Sequence, residues 1–188
     1  MQELKNRIQS DGKVLSEVIL KVDSFLNHQI DWQLMENIGL EFKRLFADQK
    51  IDKVVTIEAS GIVIGVMVAK ALNLPLVYAK KHKPSTQSEA YTTQVFSFTK
   101  QKTSDISISK EYLNEGENVL VVDDFLASGN AIIGLMDMIH QAKANLVGVG
   151  IVIEKSFQTG RKRLEDHNLN IKSLARIQSL VEGKVEFC

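Results

Sequence analysis

The chain has 188 residues, long enough for one sizeable domain with a complete core, and 44% apolar with 24% charged residues is ordinary for a water-soluble globular protein. Lys+Arg and Asp+Glu both number 23, so the formal net charge is zero, which weighs against a dedicated nucleic-acid binder. The lone cysteine, Cys188, has no internal disulfide partner; no apolar run reaches membrane-spanning length, and Met1 to Asp11 is too polar for a signal peptide, so a cytoplasmic protein is expected.

Leu4 and Ile8, four residues apart, predict a short helix over 2–10 that ends at Gly12. Residues 14–29 carry apolar groups without a clean period and read as short extended segments. Asp31 then suits an N-cap for an amphipathic helix with Leu34, Ile38, Phe42 and Leu45 on one face. Lys53 to Ile57 is the first parallel strand, running into Glu58-Ala59-Ser60-Gly61. Ile62 to Leu72 is helical, stopped by Asn73 and Pro75, and Leu76 to Ala79 is the next strand. This strand–helix–strand order predicts an α/β fold with a central, mostly parallel sheet flanked by helices.

Lys80-Lys81-His82-Lys83 opens a polar stretch, 84–89, with no apolar pattern. A basic run is usually a solvated face, but one leaving a strand end into a long irregular loop also suits a lid over anions. Residues 91–99 alternate as an antiparallel strand does, and 105–109 can pair with them. Leu146 to Glu154 is another buried strand. Residues 160–167 read as helix, 171–177 as extended and 184–187 as a last short strand.

The most informative stretch runs from Asn118 to Ala131. Val119 to Val122 is apolar on both faces, as in the middle of a parallel sheet, and leads into adjacent Asp123 and Asp124. Then Ala127, Ser128, Gly129, Asn130 and Ala131 open a helix. Small residues at a helix start leave backbone N–H groups available for phosphate. The carboxylates suit hydroxyls or a magnesium-bound ligand, so a sugar phosphate fits both halves. A capped turn would explain Ser128 but not two adjacent acids at a strand end, where open α/β sheets bind ligands.

This stretch closely resembles the phosphoribosyl-pyrophosphate (PRPP) signature of type I phosphoribosyltransferases: four apolar residues, two acids, two apolar residues, then Ala-Thr/Ser-Gly. The resemblance implies that Asp123 and Asp124 hold the ribose hydroxyls as catalytic groups. It implies that Ala127, Ser128, Gly129, Asn130 and Ala131 hold the 5′-phosphate. It also implies that Ala59, Ser60 and Gly61, with Lys81 and Lys83 of a mobile flap, receive pyrophosphate. The Ile-Glu-Ala-x-Gly form of the first loop resembles the purine-using members. Residues 20–29, 153–158 and 173–180 resemble bacterial members that act on xanthine. That likeness implies a hood over the base, built from residues 1–30 and 155–188 of a single domain spanning 1–188.

Within the hood, Lys155 can donate to a 6-oxo group, Asn27 to a 2-oxo group, and Leu20 can supply an apolar wall. Plain alternatives stand beside these readings: a surface lysine, a turn former and a core leucine. Expected substrates are xanthine and PRPP, with Mg2+ carried by PRPP, no protein-held structural metal, no nucleic acid, no membrane, and a homodimer. Salvage of guanine or hypoxanthine is the alternative inside the family. A PRPP-responsive nucleic-acid-binding regulator is the alternative outside enzymology, and a segment for it is not visible in the chain.

Overall fold

The computed structural model describes residues 1–81, 89–97 and 102–188. A six-stranded sheet forms its centre, in the order β10-β9-β8-β7-β3-β4. The strands are β3 (Lys53–Ile57), β4 (Leu76–Ala79), β7 (Asn118–Leu126), β8 (Asn145–Lys155), β9 (Ile171–Val181) and β10 (Lys184–Phe187). All neighbours run parallel except β10, which pairs antiparallel with β9. Strand β7 lies between β3 and β8, so the chain turns one way into β4 and the other way into β8 and β9. The reversal falls between β3 and β7, and a crevice opens at such a point in an open α/β sheet.

Side-chain alternation along β7 divides the core. Leu120 and Val122 join the cluster under α2 (Trp32–Leu45) and α3 (Gly61–Leu72), whereas Val119 and Val121 join the one under α4 (Asn130–Gln141). Burial on both faces is why this strand is continuously apolar rather than alternating. Asp31 caps α2 as expected, its carboxylate accepting from the Leu34 N–H at 3.2 Å. Asn73 closes α3 in the left-handed conformation.

The first residues are tied to the last. Helix α1 (Gln2–Asp11) buries Leu4 and Ile8, and the Met1 ammonium donates to the Leu174 carbonyl at 2.6 Å. Residues 14–29, read as short extended segments, divide between a small hairpin and a helical turn. The hairpin pairs β1 (Lys13–Ser16) with β2 (Ile19–Lys21), and a π-helical turn follows at Asp23–Asn27. A second antiparallel hairpin, β5 (Ala90–Ser97) with β6 (Lys102–Ser109), packs over α4. It matches the expected pairing, and the last two residues of the predicted strand, 98 and 99, lie outside the described residues.

Two glycines of β8 set how closely α2 approaches the sheet. A Cβ on Gly148 would lie 2.5 Å from the Phe46 ring, and one on Gly150 would lie 2.8 Å from the Phe42 ring. The two rings stack at 6.5 Å. Gly148→Ala and Gly150→Ala should each overpack this layer and destabilise the protein by ~1–3 kcal/mol. Urea unfolding measures the loss, and native midpoints in both variants would show that α2 shifts freely on the sheet.

Candidate active site

Strands β3 and β7 each deliver a loop and a helix start to the crevice. Together they line a cavity of about 240 Å³ that includes Glu58, Ser60, Lys81, Asp123, Asp124 and the run Ala127 to Ala131. Larger clefts of about 440 and 480 Å³ lie elsewhere on the molecule. The smaller cavity combines paired carboxylates, a lysine and two helix N-termini.

Strand β7 continues to Leu126, so the two acids lie in its C-terminal part, at the strand end where the sequence placed them. Asp123 and Asp124 are only 5% and 8% exposed. The Asp124 N–H donates to the Asp123 carboxylate at 3.0 Å. Burial, reinforced by repulsion from Asp124, pushes the Asp123 pKa well above the ordinary carboxylate value, and Lys81 opposes that rise. Lys81 is thereby part of the electrostatics of the acids, and its own N–H donates to Glu58 at 2.5 Å.

Gly61 makes the close approach of the two loops sterically feasible. A Cβ there would lie 2.2 Å from the Thr56 hydroxyl and 2.9 Å from a carboxylate oxygen of Asp123. The Thr56 hydroxyl is fully buried without a hydrogen-bond partner. Of the three residues expected in the first loop, Ser60 lines the cavity, Ala59 is exposed, and Gly61 is wedged against Asp123. Lys83 lies outside the described residues.

The second loop presents the start of α4. Gly129 adopts a positive φ of 81°, a conformation glycine takes without strain, and no side chain caps the helix. Ser128 therefore is not the conventional cap that a bland reading would make it. Helix α3 likewise begins without a side-chain cap at Ser60. Both N-termini leave donors free for an anion, reinforced by their dipoles.

The three residues expected at the base are arranged differently. Lys155 ends β8, its ammonium donating to the Val18 carbonyl at 2.7 Å and lying 5.2 Å from the centre of the Phe125 ring. Burial lowers its pKa, and Asp124 opposes that shift. Asn27 is exposed on the π-helical turn, whereas Leu20 is 6% exposed and packed in the main core.

Sequence reasoning assigned no role to Glu154, which turns out to be almost fully buried. Arg161 grips it with two donors at 2.6 and 2.7 Å. Arg176 (3.0 Å), Ser156 (2.9 Å) and Ser173 complete the shell. Its legible signal was one carboxylate at the end of an otherwise apolar strand. Arg163 was overlooked as well; it donates to the Ser128 carbonyl at 2.6 Å and to the Asn130 side-chain oxygen at 2.7 Å. Among the described residues no group of three or more His, Cys, Asp and Glu gathers as a metal site.

The phosphoribosyl transferase domain family matches residues 23–179 of the chain. This chain belongs to that family. A xanthine phosphoribosyltransferase of Clostridium novyi is 52% identical over 188 residues, covering 100% of this chain and 99% of the relative. One from Streptococcus equi is 54% identical, with 100% and 97% covered. Among solved structures, adenine phosphoribosyltransferase of Saccharomyces cerevisiae, crystallised with adenine, aligns at a TM-score of 0.73 and 27% identity, covering 92% of this chain and 97% of that one. Family membership fits the crevice between β3 and β7 and the central sheet that was expected.

Two titrations test this electrostatic description. The Glu154 pKa falls from 4.5 to about 2; burial alone would raise it, and the Arg161 hydrogen bonds, aided by those of Ser173 and Ser156, outweigh it. A depressed folded-state value stabilises above pH 4.5 and is lost as pH falls toward 2, a contribution on the order of 3 kcal/mol. Glu154→Gln should flatten that acid limb of the stability curve, and an unaltered limb would remove Glu154 from the account. Asp123 has the opposite sign, since its raised value means stability lost as pH rises. Asp123→Asn should therefore be more stable than the parent at pH 8, by a margin that shrinks toward pH 4. A variant less stable at pH 8 would show that the carboxylate is not strained.

Proposed function

We infer that this chain transfers the 5-phosphoribosyl group of PRPP to N9 of xanthine, releasing xanthosine 5′-monophosphate and pyrophosphate, a purine-salvage reaction. The observation that carries this reading is the pair of buried acids between two uncapped helix starts in one cavity. Full-length identity of about half to enzymes named for xanthine points to the base.

The substitution takes place at the anomeric carbon of the ribose, where departure of pyrophosphate leaves positive charge. Asp123 and Asp124 would hold the ribose hydroxyls and stabilise that charge from a site with little water. The backbone amides of Ala127 to Ala131 would cradle the 5′-phosphate, while Ser60, its neighbours Ala59 and Gly61, and Lys81 would receive pyrophosphate. Holding both ends of PRPP fixes the reacting carbon in line with the incoming base. Lys83, outside the described residues, would join Lys81 in receiving pyrophosphate.

Magnesium fits this donor set as a partner of the ligand. The cavity offers two hard carboxylate oxygen donors, and the ion would take its remaining oxygens from phosphates and water, neutralising the departing pyrophosphate.

At the base, an ammonium has three donors, and the Val18 carbonyl engages one of those on Lys155. That bond aims the amine and leaves two donors for a 6-oxo group, which disfavours adenine with its 6-amino donor. Asn27 would donate to the 2-oxo group, and Leu20 would back the base from the core. We place the enzyme in the cytoplasm as a homodimer acting on small molecules, without nucleic acid or membrane.

The test is PRPP-dependent pyrophosphate release with xanthine, guanine, hypoxanthine, adenine, uracil and orotate. Xanthine should give the highest kcat/KM, and a preference for any other base would overturn the substrate assignment. Lys155→Ala should damage all three 6-oxopurines together. Asn27→Ala should cost xanthine roughly 1–3 kcal/mol and hypoxanthine less, because hypoxanthine has nothing at position 2. Equal losses on all bases would show that Asn27 shapes the hood without reading that position.

A further inference from the structure

Helix α5 (Gly160–Glu165) is a six-residue element behind the phosphate loop. Three features press it against that loop. The Gly160 N–H donates to the Ala127 carbonyl at 2.9 Å. A Cβ on Gly160 would lie 2.3 Å from that same carbonyl oxygen, so only glycine permits this approach. Arg163 then reaches from one turn later to the Ser128 carbonyl and the Asn130 side chain with a single guanidinium nitrogen.

The Asn130 side chain is occupied on both sides. Its oxygen accepts from Arg163 at 2.7 Å, and its nitrogen donates to the Phe96 carbonyl of β5 at 2.9 Å. Arg163 therefore acts on the rear of the loop and, through Asn130, joins it to the hairpin over α4. It lines the neighbouring cleft of about 480 Å³ and not the cavity that holds the two acids. Two residues before Arg163, Arg161 binds Glu154, the residue next to Lys155, so one short helix is fastened to both the phosphate loop and the end of β8.

We propose that Arg163 is a positioning residue for the 5′-phosphate, acting through the Ser128–Gly129 peptide and Asn130. A trans peptide holds its C=O and N–H antiparallel. Fixing the Ser128 carbonyl therefore fixes where the Gly129 N–H points. Gly129 takes its left-handed conformation without a side chain to restrict it, and among the described residues the Arg163 guanidinium is the hydrogen-bond donor to the Ser128 carbonyl. A cation on the carbonyl also polarises the peptide and strengthens its N–H as a donor to an anion. The proposal rests on the phosphoribosyl-transfer reading for the identity of that anion.

The experiment measures steady-state kinetics with PRPP and xanthine varied separately, and PRPP affinity by calorimetry without base, for the parent, Arg163→Ala, Arg163→Lys, Asn130→Ala and the Arg163→Ala, Asn130→Ala double variant. Arg163→Ala should raise the KM and the calorimetric Kd for PRPP roughly tenfold to a hundredfold, with the KM for xanthine within about twofold. Arg163→Lys should recover part of the loss, since one ammonium can still reach the Ser128 carbonyl. Asn130→Ala should move PRPP affinity in the same direction and combine less than additively with Arg163→Ala. Unchanged PRPP affinity in Arg163→Lys and Asn130→Ala would overturn the proposal, whether or not Arg163→Ala folds. Equal losses for PRPP and xanthine would also overturn it, because α5 would then serve only the fold. A parent enzyme inactive on every base would instead defeat the functional reading, and calorimetry of PRPP alone keeps the two failures apart.

Discussion

Asp123 is a carboxylate held almost entirely out of water beside a second one, and the arrangement of both loops depends on that burial. Desolvating a carboxylate is costly, and placing it next to Asp124 adds repulsion. The protein tolerates this because three neighbours fix the geometry around the group. The Asp124 amide donates to it, Lys81 supplies opposing charge, and Gly61 lets the β3 loop close against it without a side chain intervening. The position of the sheet's reversal between β3 and β7 makes such an encounter available, since two strand ends and two helix starts meet there. Strain concentrated at one buried acid is expected where function and stability compete.

The far side of the crevice is organised by charge pairing rather than by apolar packing. Glu154 terminates the buried part of β8 and is satisfied by two arginines and two serines drawn from α5, β9 and the loop between β8 and α5. The network holds Glu154 because that carboxylate, left alone, would be a buried unpaired charge. Its completion places Lys155 at the strand end, with the ammonium directed to the Val18 carbonyl of the N-terminal hairpin. Residues 137 apart in sequence thus meet at one point, which ties the N-terminal hairpin to the end of β8.

Much of this was legible in the sequence. The apolar run Val119 to Val122 gave a central strand because burial on both faces demands it, and Asp31 gave a helix cap because its side chain can serve Leu34 locally. The paired acids and the small residues after them stood out as a candidate site because they are contiguous in sequence, and they line one cavity. Three things were hidden. The strand was longer than its apolar part, since polar residues at a ligand crevice keep extended backbone. Glu154 and Arg163 act through partners that only folding brings near, across 22 and 35 residues at most. Leu20 was read as a base wall with a plain core residue as the alternative, and its packing depends on α1 and Gly12, which no local pattern reveals.

The central claim is that the two buried acids hold the ribose of PRPP between two anion cradles. Calorimetric titration of PRPP with magnesium into the parent and into a folded Asp123→Asn, Asp124→Asn double variant tests it most directly. The amide side chains keep the shape of the site and remove its charge. The parent should bind, and the double variant should lose at least about tenfold in affinity, the equivalent of one hydrogen bond to a charged group. Equal affinity in the two proteins would contradict the account and place PRPP elsewhere on the molecule.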